Sequence, residues 1–434
     1  MKGEHKVYKM KEQTIEHNIE YNAVGGELSP KWKKSIVIIW TGQALSILST
    51  ISAGFAAMWY ITETTASPLA LAFGGIAALL PVGLLSPLGG VFADRYNRKK
   101  VMMLSDGIVG LISLALAFVI LFSKPTIPLL LAVLAARAMA QAFHAPAMVA
   151  LMPSLVPERH LVRINSLDQS LTSGAGIFGP VIGIFLYTAI GFEAVLFLDA
   201  ICAMFACLCL GIAKVSDAKS TEPSENSILG DMLDGISHIK KDTGLIQLLI
   251  LCAAAMILFM PLGTMFPLVT YDIFSGSGYQ ASLVEAVWGL GILVGSIILF
   301  AWGGGNKLVR IVLIFAFVVG VTIILCGLLQ PNHFVFFVIL SGIMSLSIGM
   351  FTCPIIPIMQ KHIPADKMGR VTGLFVTVTT LAPPFGLIFS GFGAEKIGVL
   401  NWFLISGIAL CVVVLVMSRL KSLNALDNEH ADLL

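Results

Sequence analysis

Charged side chains are scarce in this chain of 434 residues. Only 12% of its residues are Asp, Glu, Lys or Arg, whereas about a quarter are charged in an ordinary soluble domain. Hydrophobic residues make up 57%, and the mean hydropathy is +0.91. One soluble core cannot bury that much apolar surface. The composition therefore excludes a soluble globular protein and indicates that the lipid bilayer is the solvent of the chain.

The sequence also lacks the motifs of common catalytic sites. It contains no Walker-type G-x-x-x-x-G-K-[ST] loop, no H-E-x-x-H and no G-x-S-x-G, and no nucleophile and base converge in its pattern. All 7 cysteines lie in apolar segments without a C-x-x-C pair, which predicts buried thiols and neither disulfides nor a metal site. We therefore expect no enzymatic activity, cofactor, metal or nucleic-acid partner.

Apolar runs are the main feature that is present. A run of about 20 apolar residues is long enough to cross a bilayer as a helix. Twelve such runs predict an all-α integral membrane fold with twelve transmembrane helices. The predicted spans are 35–62, 69–93, 101–123, 126–151, 162–190, 193–213, 244–271, 280–302, 308–329, 332–358, 369–394 and 399–419.

The positive charges predict how the chain is oriented. If the N-terminus is inside, Lys124 and Lys396 are the only Lys or Arg residues outside, and Arg137 lies within the membrane. All the others fall in the tails and the inner loops, as the positive-inside rule expects of cytoplasmic segments. Residues 1–34 are polar and too long for the start of a signal peptide. We expect both termini in the cytoplasm of a multi-pass protein of the bacterial plasma membrane.

One long polar stretch divides the spans into two groups of six. It begins with the composition of a flexible linker and ends with apolar residues at helical spacing, which predicts an amphipathic helix on the inner surface. A weak repeat supports the division, since Pro157 and Arg163 before the fifth span recur as Pro364 and Arg370 before the eleventh. The predicted parts are a tail (1–34), a first bundle (35–213), a linker (214–243), a second bundle (244–419) and a tail (420–434).

A few polar side chains lie inside the spans, where each costs energy. Arg137, near the middle of the fourth span, carries a penalty of about 2.5–3.5 kcal/mol and should face the protein interior. Gln141 and His144 follow on the same helix face. Asp199 in the sixth span and Glu285 in the eighth are acids that could pair with Arg137 or carry protons as access alternates. These five residues are the candidate transport and coupling residues.

Each of these residues also has a purely structural interpretation. Arg137 could pin its helix to a neighbour through an ion pair. Asp199 and Glu285 could be interfacial residues or acids at the start of a helix. The sequence leaves these alternatives open.

A turn dense in charge separates the second and third spans. Its residues Gly90, Asp94, Arg95 and Arg98 resemble the G-x-x-x-D-R-x-G-R-[KR] loop of the major facilitator superfamily. Asn97 stands where that family usually has glycine, and we expect it to adopt the left-handed backbone instead. The resemblance implies two six-helix bundles that rock about a cavity at the membrane midplane.

The resemblance also points to residues for a conformational switch. In the fifth span, Gly179, Pro180 and Gly183 resemble the glycine-proline motif of exporter branches. Glycines let helices pack closely, and Pro180 predicts a bend where the two halves rock. By the same family resemblance, Asp94 would accept hydrogen bonds from the start of the eleventh helix near Gly369. That contact would favour the state closed to the cytoplasm.

Within the superfamily, the chain resembles the bacterial macrolide-efflux branch. The likeness lies in residues 39–44, 94–100, 142–147 and 386–392. It implies an exporter of hydrophobic small molecules that is driven by proton entry and surrounded by membrane lipids. We expect this exporter to be a monomer. The alternatives are export of an endogenous metabolite or siderophore, an uncoupled facilitator, and a membrane scaffold or sensor that transports nothing.

Overall fold

The computed structural model describes residues 31–156, 158–213, 242–305, 307–363 and 365–427. The predicted tail up to residue 30 and the predicted amphipathic linker helix lie outside these residues. In the described part, twelve helices are long and apolar enough to cross a membrane, and the predicted all-helical fold of twelve spans is confirmed. The helices are α1 (Lys31–Thr65), α2 (Pro68–Arg95), α3 (Arg98–Phe122), α4 (Ile127–Leu155), α5 (Glu158–Ala189), α6 (Phe192–Ile212), α7 (Thr243–Thr264), α8 (Gly278–Trp302), α9 (Leu308–Gly327), α10 (Phe334–Thr352), α11 (Ala365–Ile397), α12 (Val399–Ser418) and the short α13 (Lys421–Ala425).

Two of the spans are interrupted helices. After α7 the chain continues through the short helix Phe266–Leu268 into a π-helical turn at Val269–Ile273. After α10 it passes Pro354 and continues as the helix Ile355–His362. Proline has no backbone N–H to donate, so a break beside it is expected. Both interruptions lie in segments that the sequence predicts as single apolar runs.

The turn between α2 and α3 differs from the expected one at Asn97. Its φ of −60° and ψ of 110° lie in the extended region, not in the left-handed one. Its side chain is the N-cap of α3, and the Oδ1 atom accepts a hydrogen bond from the Lys100 amide at 3.0 Å. The prediction of a left-handed residue was wrong because Asn stabilises a helix start by capping, which glycine cannot do through a side chain.

The spans pack as two six-helix bundles. In the first bundle α1 packs against α5 and α6, α2 against α4, and α3 against α4 and α6. In the second, α8 packs against α10, α9 against α10 and α12, and α7 against α11 and α12. Phe266 is buried in the second bundle, where it meets Trp288 and Phe337 edge to face. The bundles meet through α2 with α11 and through α5 with α8.

Helices α1 and α5 approach each other at backbone contact distance. A Cβ atom added at Gly183 would lie 2.5 Å from the carbonyl oxygen of Ser52. The Ser52 hydroxyl donates a hydrogen bond to the carbonyl oxygen of Gly179 at 2.8 Å. Helix α5 is continuous through Pro180, which is buried between these glycines. Close helix packing accounts for both glycines, whereas the bend at Pro180 stays a prediction.

The two bundles are joined by polar contacts at one end of the molecule, which we call the Ser67 end. There the Ser67 hydroxyl and the Leu69 amide donate hydrogen bonds to Glu395 Oε2, at 2.9 and 3.2 Å. Ser67 and Leu69 lie at the start of α2, and Glu395 lies at the end of α11. Thr188 of α5 hydrogen-bonds the Tyr279 hydroxyl of α8 at 2.7 Å. These hydrogen bonds therefore link the two bundles at the Ser67 end.

The opposite end, where the turn between α2 and α3 lies, we call the Arg98 end. Gly90 of α2 and Gly373 of α11 lie in the halves of their helices that point toward this end, and Gly174 lies at the middle of α5. A Cβ atom added at any of the three would meet no described atom within 4 Å. These three positions therefore have room for a larger side chain.

Candidate functional site

Arg137 of α4 forms a buried ion pair with Asp199 of α6. Its Nη1 atom lies 2.5 Å from Asp199 Oδ2, and the side chains are 8% and 1% exposed. Nη1 also donates a hydrogen bond to the hydroxyl of Ser113 on α3. A charge deep in a bundle needs a partner of opposite sign, and each residue provides one for the other. Of the two acids that the sequence offers for Arg137, the structure pairs it with Asp199.

The Asp199 carboxylate is the centre of a network that links four helices. Ser49 and Thr50 of α1 donate to Oδ1 at 3.0 and 3.2 Å, and Ser113 donates to Oδ2 at 2.7 Å. With Arg137, these donors occupy most of the sites at which a carboxylate accepts hydrogen bonds. Asp199 is therefore held as a fully satisfied anion that fixes α1, α3 and α4 around α6.

One polar atom of this network is unsatisfied. Arg137 Nη2 is buried and has no hydrogen-bond partner among the described residues. An unsatisfied buried donor costs about 1–3 kcal/mol, and more when the donor is charged. The guanidinium therefore has a free donor in the interior of the first bundle.

A second polar cluster lies closer to the Arg98 end of the same bundle. Gln43 of α1 donates from Nε2 to Asp106 Oδ2 at 3.0 Å, and His144 Nε2 of α4 lies 3.5 Å from Asp106 Oδ1. Asp106 precedes Ser113 by two helical turns, so this cluster is about 10 Å from the Asp199 network. Asp168 of α5 lies within electrostatic range of His144. The first bundle thus contains two layers of buried polar side chains.

Gln141 lies between these two layers on α4. Arg137 and His144 flank it in sequence; Arg137 pairs with Asp199, and His144 Nε2, which has no hydrogen-bond partner among the described residues, lies 3.5 Å from Asp106. Gln141 itself is partly buried and makes no hydrogen bond to a described residue. The predicted polar face of α4 therefore serves two separate clusters and not one site.

Glu285 lies on α8, away from both clusters. Two residues of α8 on the same helix face contact α5: a Cβ atom at Gly278 would lie 2.5 Å from Ile184 Cγ1, and one at Gly289 would lie 2.8 Å from Ile177 Cγ1. Glu285 stands between these positions and is partly buried. Among the described residues, none forms an ion pair or hydrogen bond with its carboxyl group.

The charged turn at the Arg98 end is partly defined. Arg98 Nε donates to the carbonyl oxygen of Ala93 at 3.3 Å, which ties the start of α3 to the end of α2. Arg95 is exposed, and Gly90 is partly buried. The side chains of Asp94 and of residues 365–370 are not described, although the backbone of residues 365–370 belongs to α11. The switch contact between α2 and α11 stays a prediction.

Sequence reasoning did not identify Asp106, Gln43, Ser49 or Ser113. The indication available for Asp106 was the same as for Asp199, an acid inside an apolar run. It lies inside the predicted third span, 101–123, and was not singled out there. Ser and Thr are common inside spans because they can bond the preceding helical turn, so their partners cannot be read from the sequence.

The described residues do not suggest a bound metal or a redox site. Among them, no group of three His, Cys, Asp and Glu side chains could hold a metal ion. All 7 cysteines of the chain are free thiols. What the described polar clusters can do is hold helices, bind a polar group of a ligand, or accept and release a proton.

Comparison with known proteins agrees with this architecture. A sequence model of the Major Facilitator Superfamily matches residues 39–387. Macrolide efflux protein A of Streptococcus pyogenes is 30% identical over 397 residues, which cover 91% of this chain and 98% of that protein. Multidrug efflux pump Tap of Mycolicibacterium fortuitum is 24% identical over 382 residues, which cover 85% and 91%.

Solved structures show the same fold at low sequence identity. A crystal structure of a POT family transporter in complex with a thioalcohol-conjugated peptide superposes with a TM-score of 0.71 and 12% identity. The match covers 89% of this chain and 95% of that one. Together with the twelve spans and the bacterial relatives, these matches show that the chain belongs to the Major Facilitator Superfamily and is a multi-pass transporter of the bacterial plasma membrane, not an enzyme.

Proposed function

We propose that this transporter exports hydrophobic drugs of the macrolide type, by alternating access that is driven by proton entry. The substrate class is supported by the similarity to macrolide efflux protein A, which extends over 91% of the chain. We take one chain as the transport unit. Both bundles that must rock against each other are contained in it.

The proposed orientation puts the Arg98 end in the cytoplasm. Lys99 and Lys100 follow Arg98 in the turn at this end, and Lys307 and Arg310 lie at the start of α9 at the same end. Cytoplasmic loops carry such an excess of Lys and Arg. With this orientation, the hydrogen bonds that join the bundles at the Ser67 end face the outside. Substrate would enter from the cytoplasm and leave when the Ser67 end opens.

One observation carries the proposal of proton coupling: Glu285 has no described partner at the boundary between the bundles. The Asp199 carboxylate is already engaged by Arg137 and by hydroxyl donors inside the first bundle. A carboxyl group on α8 beside α5 changes its surroundings when the bundles rock. Protonation from the outside and release to the cytoplasm would then follow the alternation of access.

The energy available from one proton is sufficient for such export. A membrane potential of 100 mV contributes about 2.3 kcal/mol per charge. One pH unit adds about 1.4 kcal/mol. One proton can therefore sustain a gradient of a neutral substrate of up to about 500-fold under these conditions. The proposal needs no covalent chemistry and no nucleotide.

The test is drug accumulation in a sensitive bacterial strain that expresses the chain. We expect cells with the wild-type chain to hold less labelled macrolide than cells without it, and this difference to vanish in Glu285→Gln. Asp272→Asn is the matched control, because Asp272 is an exposed acid of the same bundle. Protein levels in the membrane are compared by immunoblot.

Two results would contradict the proposal in different ways. Export by Glu285→Gln at the wild-type rate would remove the assigned proton site and favour an uncoupled facilitator. Failure of the wild-type chain to lower the accumulation of any macrolide, with another compound class exported, would remove the substrate class. An endogenous metabolite or a siderophore would then be the substrate to test.

A further inference from the structure

A groove lies on the outside of the second bundle, between α9 and α12. It has a volume of about 520 Å³, and Lys307, Arg310, Phe317, Leu415 and Asp427 are among its lining residues. Helices α9 and α12 pack on each other and on other helices of the second bundle. The groove is therefore separate from the boundary between the bundles, where we place transport. Neither the family likeness nor the proposed function assigns it a role.

The mouth of the groove is positively charged. Lys307 and Arg310 are exposed and stand three residues apart, so they lie on one face at the start of α9. Among the described residues, no ion pair involves Lys307 or Arg310, so neither cation has a carboxylate partner there. Arg419 and Lys421 lie exposed at the junction of α12 and α13, next to the lining residue Ser418.

One acid also lines the groove, and its role is structural. Asp427 follows α13, and its two carboxylate oxygens accept hydrogen bonds from the amides of Val309 and Arg310, at 2.8 and 3.2 Å. It thus caps the N-terminus of α9 and secures the end of the chain beneath that helix. The carboxylate offsets one positive charge at the mouth, and the surrounding cations still outnumber it.

The rest of the groove is apolar and deep. Ile314, Phe317 and Val318 of α9 form one wall, and Val414 and Leu415 of α12 form the other. From Lys307 to Phe317 the helix rises about 15 Å. The hydrocarbon core of a bilayer is about 30 Å thick, so the groove reaches across about one leaflet. Its cations stand where headgroups lie, and its apolar walls stand where acyl chains lie.

We propose that this groove binds an anionic phospholipid. The phosphate lies between Lys307 and Arg310, and one acyl chain follows the apolar walls toward Phe317. A basic pocket beside apolar helix surface distinguishes anionic headgroups from zwitterionic ones, because each Lys or Arg near a negative surface contributes to attraction. The lipid would join α9, α12 and the terminal α13, which is already attached through Asp427.

Native mass spectrometry of the purified transporter tests this inference. The protein in detergent is mixed with equal amounts of phosphatidylglycerol and phosphatidylcholine, and the retained lipids are counted. We expect preferential retention of phosphatidylglycerol by the wild-type chain. The double variant Lys307→Gln/Arg310→Gln should bind it about 30-fold more weakly, roughly fivefold for each cation removed. Lys34→Gln/Lys100→Gln is the matched control, because both lysines are exposed and lie away from the groove.

Two further arms separate a lipid from a free anion. Ile314→Trp fills the apolar part without touching the cations, and Ile314 is 48% exposed, so the fold should tolerate the change. It should reduce retention of phosphatidylglycerol, whereas millimolar inorganic phosphate should not displace the lipid. If the control variant Lys34→Gln/Lys100→Gln loses as much lipid as Lys307→Gln/Arg310→Gln, the effect comes from general surface charge, and the proposal is overturned. Displacement by phosphate, with no effect of Ile314→Trp, would show an anion site without a lipid and overturn it as well.

Discussion

At the scale of single residues, the first bundle is organised by charges that satisfy one another. Asp199 accepts hydrogen bonds from Ser49, Thr50, Ser113 and Arg137, which come from three other helices. Burying two ions is costly, and the pair persists because nearly every acceptor site on the carboxylate is used. Removing one partner should therefore lower the free energy of unfolding much more than removing both partners together.

We predict that this asymmetry is measurable as a double-mutant cycle. Asp199→Asn leaves the Arg137 charge buried without a counter-ion and should destabilise the protein by about 3–5 kcal/mol. Arg137→Met alone should be similarly harmful, because it leaves the carboxylate uncompensated. The double variant should lose less than the sum of the two single losses. Unfolding in detergent of the four proteins provides the free energies, and additive losses would show that the pair is not coupled.

The sequence was enough to place Arg137 inside the protein, but not to choose its partner. Asp199 and Glu285 lie at comparable depths in their spans, and the pairing depends on which helices pack together. The contact of α3, α4 and α6 in one bundle decides for Asp199. Asp106 was not singled out although it lies inside the predicted third span, and its partners Gln43 and His144 come from other helices, so only the packing reveals the cluster.

At the scale of helices, length and hydropathy predicted the fold closely. The second span was predicted at 69–93, and the helix observed is Pro68–Arg95. Interruptions were harder to predict, since the apolar run 244–271 that leads into the π-helical turn at Val269–Ile273 also suits a straight helix. Close packing of helices was predictable only in part. Gly183 stands against the backbone of α1, whereas Gly176 on the same helix has no described atom within 4 Å of an added Cβ.

We predict that these two glycines respond differently to the same substitution. Gly183→Ala puts a methyl group against the Ser52 carbonyl and forces α1 and α5 apart, which should cost about 1–3 kcal/mol. Gly176→Ala, the matched control, should be neutral or slightly stabilising, because alanine favours a helix more than glycine does. Thermal unfolding of both variants in the same detergent checks this. Equal effects would mean that the contact of α1 with α5 does not limit stability.

At the scale of the whole molecule, the bundles are fastened at the Ser67 end by few polar contacts. Glu395 accepts hydrogen bonds from Ser67 and from the Leu69 amide at the start of α2, where the helix dipole also favours a negative charge. These contacts join opposite bundles, so they must break when the Ser67 end opens. They are absent from any state in which α2 and α11 separate there.

We predict that Glu395→Gln shifts the transporter toward the state open at the Ser67 end. Glutamine keeps an acceptor oxygen but removes the charge, and the contact is exposed to solvent, so the change should be about 0.5–1 kcal/mol and the shift in the equilibrium about two- to fivefold. Spin labels at Thr126 and Asn401, both exposed at this end, would report a longer distance, with the exposed Cys353 replaced. Glu193→Gln, on α6 at the same end, is the control. An unchanged distance distribution in Glu395→Gln would show that the contact does not hold the closed state.

The central claim is that proton entry drives substrate export, and coupled flux in proteoliposomes tests it most directly. Purified protein is reconstituted with a pH-sensitive dye inside, a proton gradient is imposed, and a macrolide is added. We predict proton movement that begins only when the drug is present, that moves the drug against its gradient, and that is lost in Glu285→Gln but kept in Asp272→Asn. Drug movement down its own gradient with no accompanying proton movement would contradict the claim.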